Sequence, residues 1–128
     1  MAKMSEEARK LLDAPNYATV TSVNPDGWPH STVVWVHTDG DDVVFSTVKG
    51  RVKARNFERD PRATVLVIDP DDPYRYVEVR GHVTLTPDPE GALIQQMSQK
   101  YQGRPWEDEP GTERLIVRIS PDRVNVRG

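Results

Sequence analysis

The stretch YRYVEVRGHVTLTP, Tyr74 to Pro87, decides the fold. Arg75, Val77, Val79, Gly81, Val83 and Leu85 fall on one side of an extended chain, and Tyr74, Tyr76, Glu78, Arg80, His82 and Thr84 on the other. A period of two is the signature of a β-strand, whose successive side chains point to opposite faces. A strand this long needs partners, and the flanking sequence supplies them. YATVTSV (17–23), HSTVVWVHT (30–38) and DVVFST (42–47) are rich in β-branched residues. The turn formers NPDG (24–27) and Asp39-Gly40 separate them, which predicts a three-stranded meander. ATVLVID (63–69) is nearly continuous apolar, as expected of a strand covered on both faces or lying at a subunit contact. RLIVRIS (114–120) and RVNV (123–126) complete the set of six or seven strands.

Three short helices interrupt the β pattern. Ser5 precedes Glu6, Glu7 and Ala8, with Leu11 and Leu12 a turn on, an N-capped amphipathic helix that stops before Pro15. Gly50 to Asp60 has good helix formers and closes at Asp60-Pro61. Asp88-Pro89-Glu90 predicts a third start, with a carboxylate cap and proline at the first helical position, followed by an apolar stripe of Leu93, Met97 and Tyr101 beside Ile94. With 128 residues and no internal repeat, the reading is one domain, 1–128, mainly β (α+β). An antiparallel barrel best spares so small a chain its exposed edges.

Composition narrows the function. There is no cysteine, so disulfides, thiolate nucleophiles and cysteine-bound zinc are excluded. His30, His37 and His82 share no ligand spacing, so no metal is expected, and no serine sits in a nucleophile elbow. The N-terminus lacks the apolar core of a signal peptide, and no run approaches the roughly 20 apolar residues of a membrane span. A soluble, cytoplasmic protein with no membrane partner is expected. The net charge of −3 argues against a nucleic-acid partner, as does the segregation of cations from aromatics.

Positive charge is concentrated in FSTVKGRVKARNFERDPRA, Phe45 to Ala63. Residues 49–62 carry six cations and two acids, a local +4 against −7 for the remainder. Here a strand hands over to a helix: Ser46 and Thr47 end the strand, Gly50 frees the turn, and the helix begins near Arg51. Unpaired amides, hydroxyls and cations at one spot are the ingredients of a phosphate site, with Arg51 and Lys53 in the first turn and Arg55 above. The alternative is a solvated helix face; Arg59 and Arg62 are expected to pair locally with Glu58 and Asp60. Trp35, Tyr74 and Tyr76 could flank a planar ring or simply fill core and interface. The acidic WEDEPG segment (106–111) reads as a solvated loop. No constellation of side chains is catalytic by itself, so an enzyme on this chain would draw its chemistry from a cofactor.

The Thr19–Pro29 region, VVWV (33–36), the basic stretch and the YVEVRG strand together resemble the pyridoxamine 5'-phosphate oxidase-like family of flavin and deazaflavin split barrels. They are most similar to its coenzyme F420-dependent oxidoreductase branch. GRVKARNFERDPR, Gly50 to Arg62, is the most specific part, and the likeness spans nearly the whole chain. The resemblance implies a six-stranded antiparallel split barrel, a homodimer, and a cofactor in each of two interfacial clefts. It implies hydride transfer from the reduced deazaflavin to an unsaturated or quinone-like small molecule. Carried over by position, Arg51 and Lys53 hold the cofactor phosphate with Ser46, Thr47 and Val48. Val33, Val34 and Trp35 lie along the ring, Tyr74 and Tyr76 approach the cleft, and Lys49 and Arg55 meet an acidic oligoglutamate tail. FMN is the alternative cofactor, and a non-catalytic flavin or deazaflavin carrier the alternative role.

Overall fold

The computed structural model describes residues 2–128. Its element order is α1 (Glu6–Asp13), β1 (Ala18–Val23), β2 (Pro29–Val34), β3 (His37–Asp39), β4 (Asp42–Val48), α2 (Val52–Arg59), β5 (Arg62–Asp69), β6 (Asp72–Pro87), α3 (Ala92–Gln102) and β7 (Arg114–Arg127). The strands form one antiparallel sheet in the order β2-β1-β5-β6-β7-β4-β3.

HSTVVWVHT, expected as one strand, is two. It breaks at Trp35-Val36, and its halves belong to opposite edges of the sheet. That break explains seven strands where the resemblance implies six. Three peptide steps join Val34 to His37, so the two edges approach within about 11 Å. The sheet is therefore curled almost onto itself, split at the seam and not closed.

The interior is valine-rich. Val20, Val43, Val65, Val67, Val77, Val79, Val117, Ile119 and Phe45 are buried, and α1 adds Ala8, Leu11 and Leu12. The alternation expected of β6 holds, with Val77 and Val79 inward and Glu78 and Arg80 outward. Gly81 is required there, because a Cβ would strike the carbonyl oxygen of Ser120. Beside it Arg80 pairs with Arg123 and Gly81 with Pro121, so Asp122 is the extra residue of a β-bulge. RLIVRIS and RVNV are thus one strand, bent at the bulge and not interrupted.

Helix starts follow local chemistry. Ser5 Oγ accepts the Ala8 amide at 3.2 Å. The third helix begins later than the proline at position 89 suggests, after Gly91 in a left-handed turn. Asp88 still caps it from outside, accepting the amides of Ala92 at 3.2 Å and Leu93 at 3.0 Å. α2 packs through Phe57 on Phe45, ring centroids 6.5 Å apart, and through buried Asn56, which donates to Ser22 Oγ at 2.9 Å and Asn24 Oδ1 at 3.0 Å. These contacts, both from the second half of α2, hold the helix against the sheet. Among the described residues no helix is long and apolar enough to cross a membrane.

Candidate functional site

Strand β4 delivers Ser46 and Thr47 to its end, Lys49-Gly50 turns the chain with Gly50 at φ +93°, and α2 starts at once. The turn closes through the Arg51 amide, which donates to Val48 O at 3.2 Å. Arg51 is the N-cap residue, and its side chain makes no cap bond. The first amides of α2 therefore lack intrahelical acceptors, as at any helix start. Lys53, in this first turn, is only 8% exposed, yet no acceptor or carboxylate pairs with it among the described residues. Burial, and then the neighbouring Arg51 charge, hold its pKa below the ordinary 10.5. Ser46 Oγ and Thr47 Oγ1 are buried without partners. Buried polar groups ordinarily find partners, and buried charges ordinarily find counter-charges. One cation and two hydroxyls left wanting at one helix start fit an oxyanion.

These residues line one end of a cleft of about 230 Å³. Its other walls are aromatic and apolar: Tyr17, Val33, Val34, Trp35, Ile94, Met97 and Trp106, with Arg114. Trp35 stacks on Tyr101, with centroids 5.3 Å apart and planes 11° apart, and meets the Trp106 edge at 5.7 Å. Trp106 is clamped. Its amide donates to Gln95 Oε1 at 2.9 Å, the Gln95 amide returns a bond to its carbonyl, and its indole N–H donates to Asp108 Oδ1 at 2.8 Å. Asp108 in turn holds Arg114, Nη2 to Oδ1 at 2.7 Å, and this guanidinium keeps the carboxyl below its usual range. Arg114 is thus satisfied within the chain while Lys53 is not. The cleft has a cationic end and a planar, neutral end.

Of the residues selected from the sequence, Val33, Val34, Trp35, Ser46, Thr47, Arg51 and Lys53 come together here. The others do not. Val48 lies in the β4 ladder opposite Arg114, and Lys49 turns away toward Glu113, Nζ to Oε2 at 4.0 Å. Arg55 is exposed on the outer side of α2. Tyr74, at the β5–β6 turn, is 83% exposed, and Tyr76 lies on the outer face of the sheet beside Leu66 and Ile68. Both tyrosines are far along the ladder from Ser46, so neither belongs to this cleft of the single chain. The local pairing expected of Arg62 is found with Asp60 at 2.7 Å, whereas Arg59 bonds to Val23 O instead of Glu58.

Tyr17, Ile94, Met97, Trp106 and Arg114 were not legible as site residues. The WEDEPG segment is solvated as expected except at its first residue: Trp106 forms a wall of the cleft, and Asp108 holds its indole in place. An indole in a polar loop was the available signal, because so large an apolar group rarely stays in water.

The chain matches the family described as Pyridoxamine 5'-phosphate oxidase over residues 4–128. It belongs to that family. The family includes oxidoreductases and binds flavin-type cofactors. A solved structure named F420 Reductase is 36% identical, covers 91% of this chain and 94% of its own, and superposes with a TM-score of 0.83. A conserved hypothetical protein of Mycobacterium tuberculosis is 28% identical over 97% of this chain and 84% of its own, TM-score 0.79. General Stress Protein 26 of Bacillus anthracis shares the fold at 20% identity, TM-score 0.73, over 95% of this chain and 92% of its own.

Proposed function

We propose that this member of the pyridoxamine 5'-phosphate oxidase family is a coenzyme F420-dependent oxidoreductase that reduces an unsaturated or quinone-like small molecule. One observation carries the reading: buried Lys53, unpaired, stands with the partnerless hydroxyls of Ser46 and Thr47 at one end of a cleft with aromatic walls. Lys53, Arg51, both hydroxyls and the first amides of α2 would hold the cofactor phosphate. Val33, Val34 and Trp35 would support the ring; Val33 is 66% exposed and Tyr17 67%, surface that a planar ligand would cover. Bound and reduced, the deazaflavin supplies a hydride, so the chain's own task is to bind, orient and exclude water.

Two observations favour the deazaflavin over FMN. Arg55, on the outer side of α2 one turn beyond Arg51, is exposed and unpaired among the described residues, and the exposed Lys49 is held only at 4.0 Å from Glu113, a contact that an acidic tail could replace. The 36% identical structure carries the name F420 Reductase.

The cleft volume lies below the roughly 300–1,000 Å³ of pockets that enclose a ligand. A second surface would complete it, and a homodimer supplies one. The outer sheet face around Leu66, Ile68, Tyr76 and Asn125 is open, and Ile68 is 46% exposed, which suits burial against a second copy. Titration with reduced F420 and with FMN, followed by sedimentation and by acceptor-dependent oxidation, tests the whole reading. The expected result is F420 binding by a particle of twice the chain mass, with turnover. Micromolar FMN binding without F420 binding overturns the cofactor choice, binding without turnover on any acceptor makes the protein a carrier, and a monomeric mass removes the dimer.

A further inference from the structure

Trp35 sits at the seam of the barrel, between the end of β2 and the start of β3. Val36, next to it, is fully buried. Its backbone groups fall outside the strand ladders, and a buried backbone group needs a partner. The end of α3 supplies them. The Val36 amide donates to Tyr101 Oη at 3.0 Å, and Lys100 Nζ donates to Val36 O at 2.5 Å and to Leu12 O at 3.1 Å. Tyr101 Oη also donates to Asn16 O at 2.6 Å, and its ring lies flat against Trp35. Lys100 stands 4.9 Å from that ring's centroid. Two adjacent side chains of one helix thus tie α1, the seam and the cleft wall together.

We propose that Lys100 and Tyr101 are positioning residues that set the plane of the Trp35 indole and thereby the fit of a planar ring in the cleft. The inference rests on the cleft reading above. It predicts a division of labour: the α2 end recognises the phosphate, and the α3 end aligns the ring. Neither Lys100 nor Tyr101 lines the cleft, so both act through Trp35.

Protein labelled with 5-fluorotryptophan resolves the indole, with Trp28→Phe and Trp106→Phe assigning the Trp35 resonance by fluorine NMR. Tyr101→Phe, which keeps the ring and loses the hydroxyl, and Lys100→Met are expected to shift or broaden that resonance. They are expected to weaken F420 or FMN binding about five- to thirtyfold, the cost of one or two lost bonds. Inorganic phosphate, followed by phosphorus NMR, should bind both variants as it binds the wild type. Lys100→Arg should restore ring affinity. An unmoved Trp35 resonance, equal losses for phosphate and for the ring-bearing cofactor, or no recovery in Lys100→Arg each overturns the proposal. Wild-type protein that binds neither cofactor overturns the cleft reading, and the ring-fit role with it; wild-type binding that both variants retain overturns the positioning role alone.

Discussion

Lys53 and Arg62 belong to the same basic stretch, nine positions apart, and the fold treats them in opposite ways. Arg62 is exposed and paired: it grips Asp60 at 2.7 Å and brings that carboxyl down to a pKa of about 2. Lys53 is buried and unpaired, its charge disfavoured by burial and by Arg51. An exposed cation with a partner needs nothing more from the surroundings, whereas a partly desolvated one without a partner is stabilised by an anion that arrives. The difference separates a surface ion pair from a candidate binding group, although both look alike in a count of charges.

The strongest way to break this comparison is by substitution. Lys53→Ala should weaken binding of a phosphate-bearing cofactor by about 1.5–3 kcal/mol, the scale of a lost charge-assisted hydrogen bond. Arg62→Ala should leave affinity unchanged. Equal effects in isothermal titration would erase the distinction. Thr47→Val comes next: losing one hydroxyl should cost about 1 kcal/mol of binding, while the apo-protein stays as stable or gains, since the hydroxyl it loses has no partner. A clear drop in apo stability would mean that Thr47 is already satisfied within the fold.

The smallest effect concerns pH. Lys53 lies below its ordinary 10.5, and Lys100 is lowered to about 8 by burial, a shift that Asp13 partly offsets. The unfolded chain keeps both protons up to about 10.5, so between pH 8 and 10 it binds more protons than the folded one. Apo stability should therefore rise from pH 7.5 to 9.5 as Lys100 loses its proton, while cofactor affinity falls toward higher pH because Lys53, with its pKa lowered, sheds its charge sooner than a free lysine. Urea unfolding and binding titrations at those two pH values check the opposite signs, and stability and affinity moving together would contradict them.

Much of this was legible because it is local. Alternation in Tyr74–Pro87 marks a strand wherever it occurs, Ser5 caps the amides that follow it, and Gly50 frees the turn that starts α2. The cationic end of the cleft was readable for the same reason, since Ser46, Thr47, Arg51 and Lys53 are neighbours along the chain. The ring end was readable only in part, through Val33, Val34 and Trp35. Met97 and Trp106 reach it only after α3 and the loop beyond it fold back onto the sheet, and no short-range pattern announces that encounter. Lys49 shows the converse, because a residue beside the junction in sequence turns toward Glu113 once the β4–β7 register is fixed.

The amino-acid sequence alone determined the β-rich class, the strand-to-helix junction and the identity of its cations. Those features depend on side-chain period, turn chemistry and charge within a few residues. The tertiary structure decided which cation is buried, which carboxylates are spent on Arg62 and Arg114, and which indoles face the cleft. Burial and partnership are properties of the packed sheet, and they turn a run of like charges into one ion pair and one unpaired, buried cation at the head of a cleft.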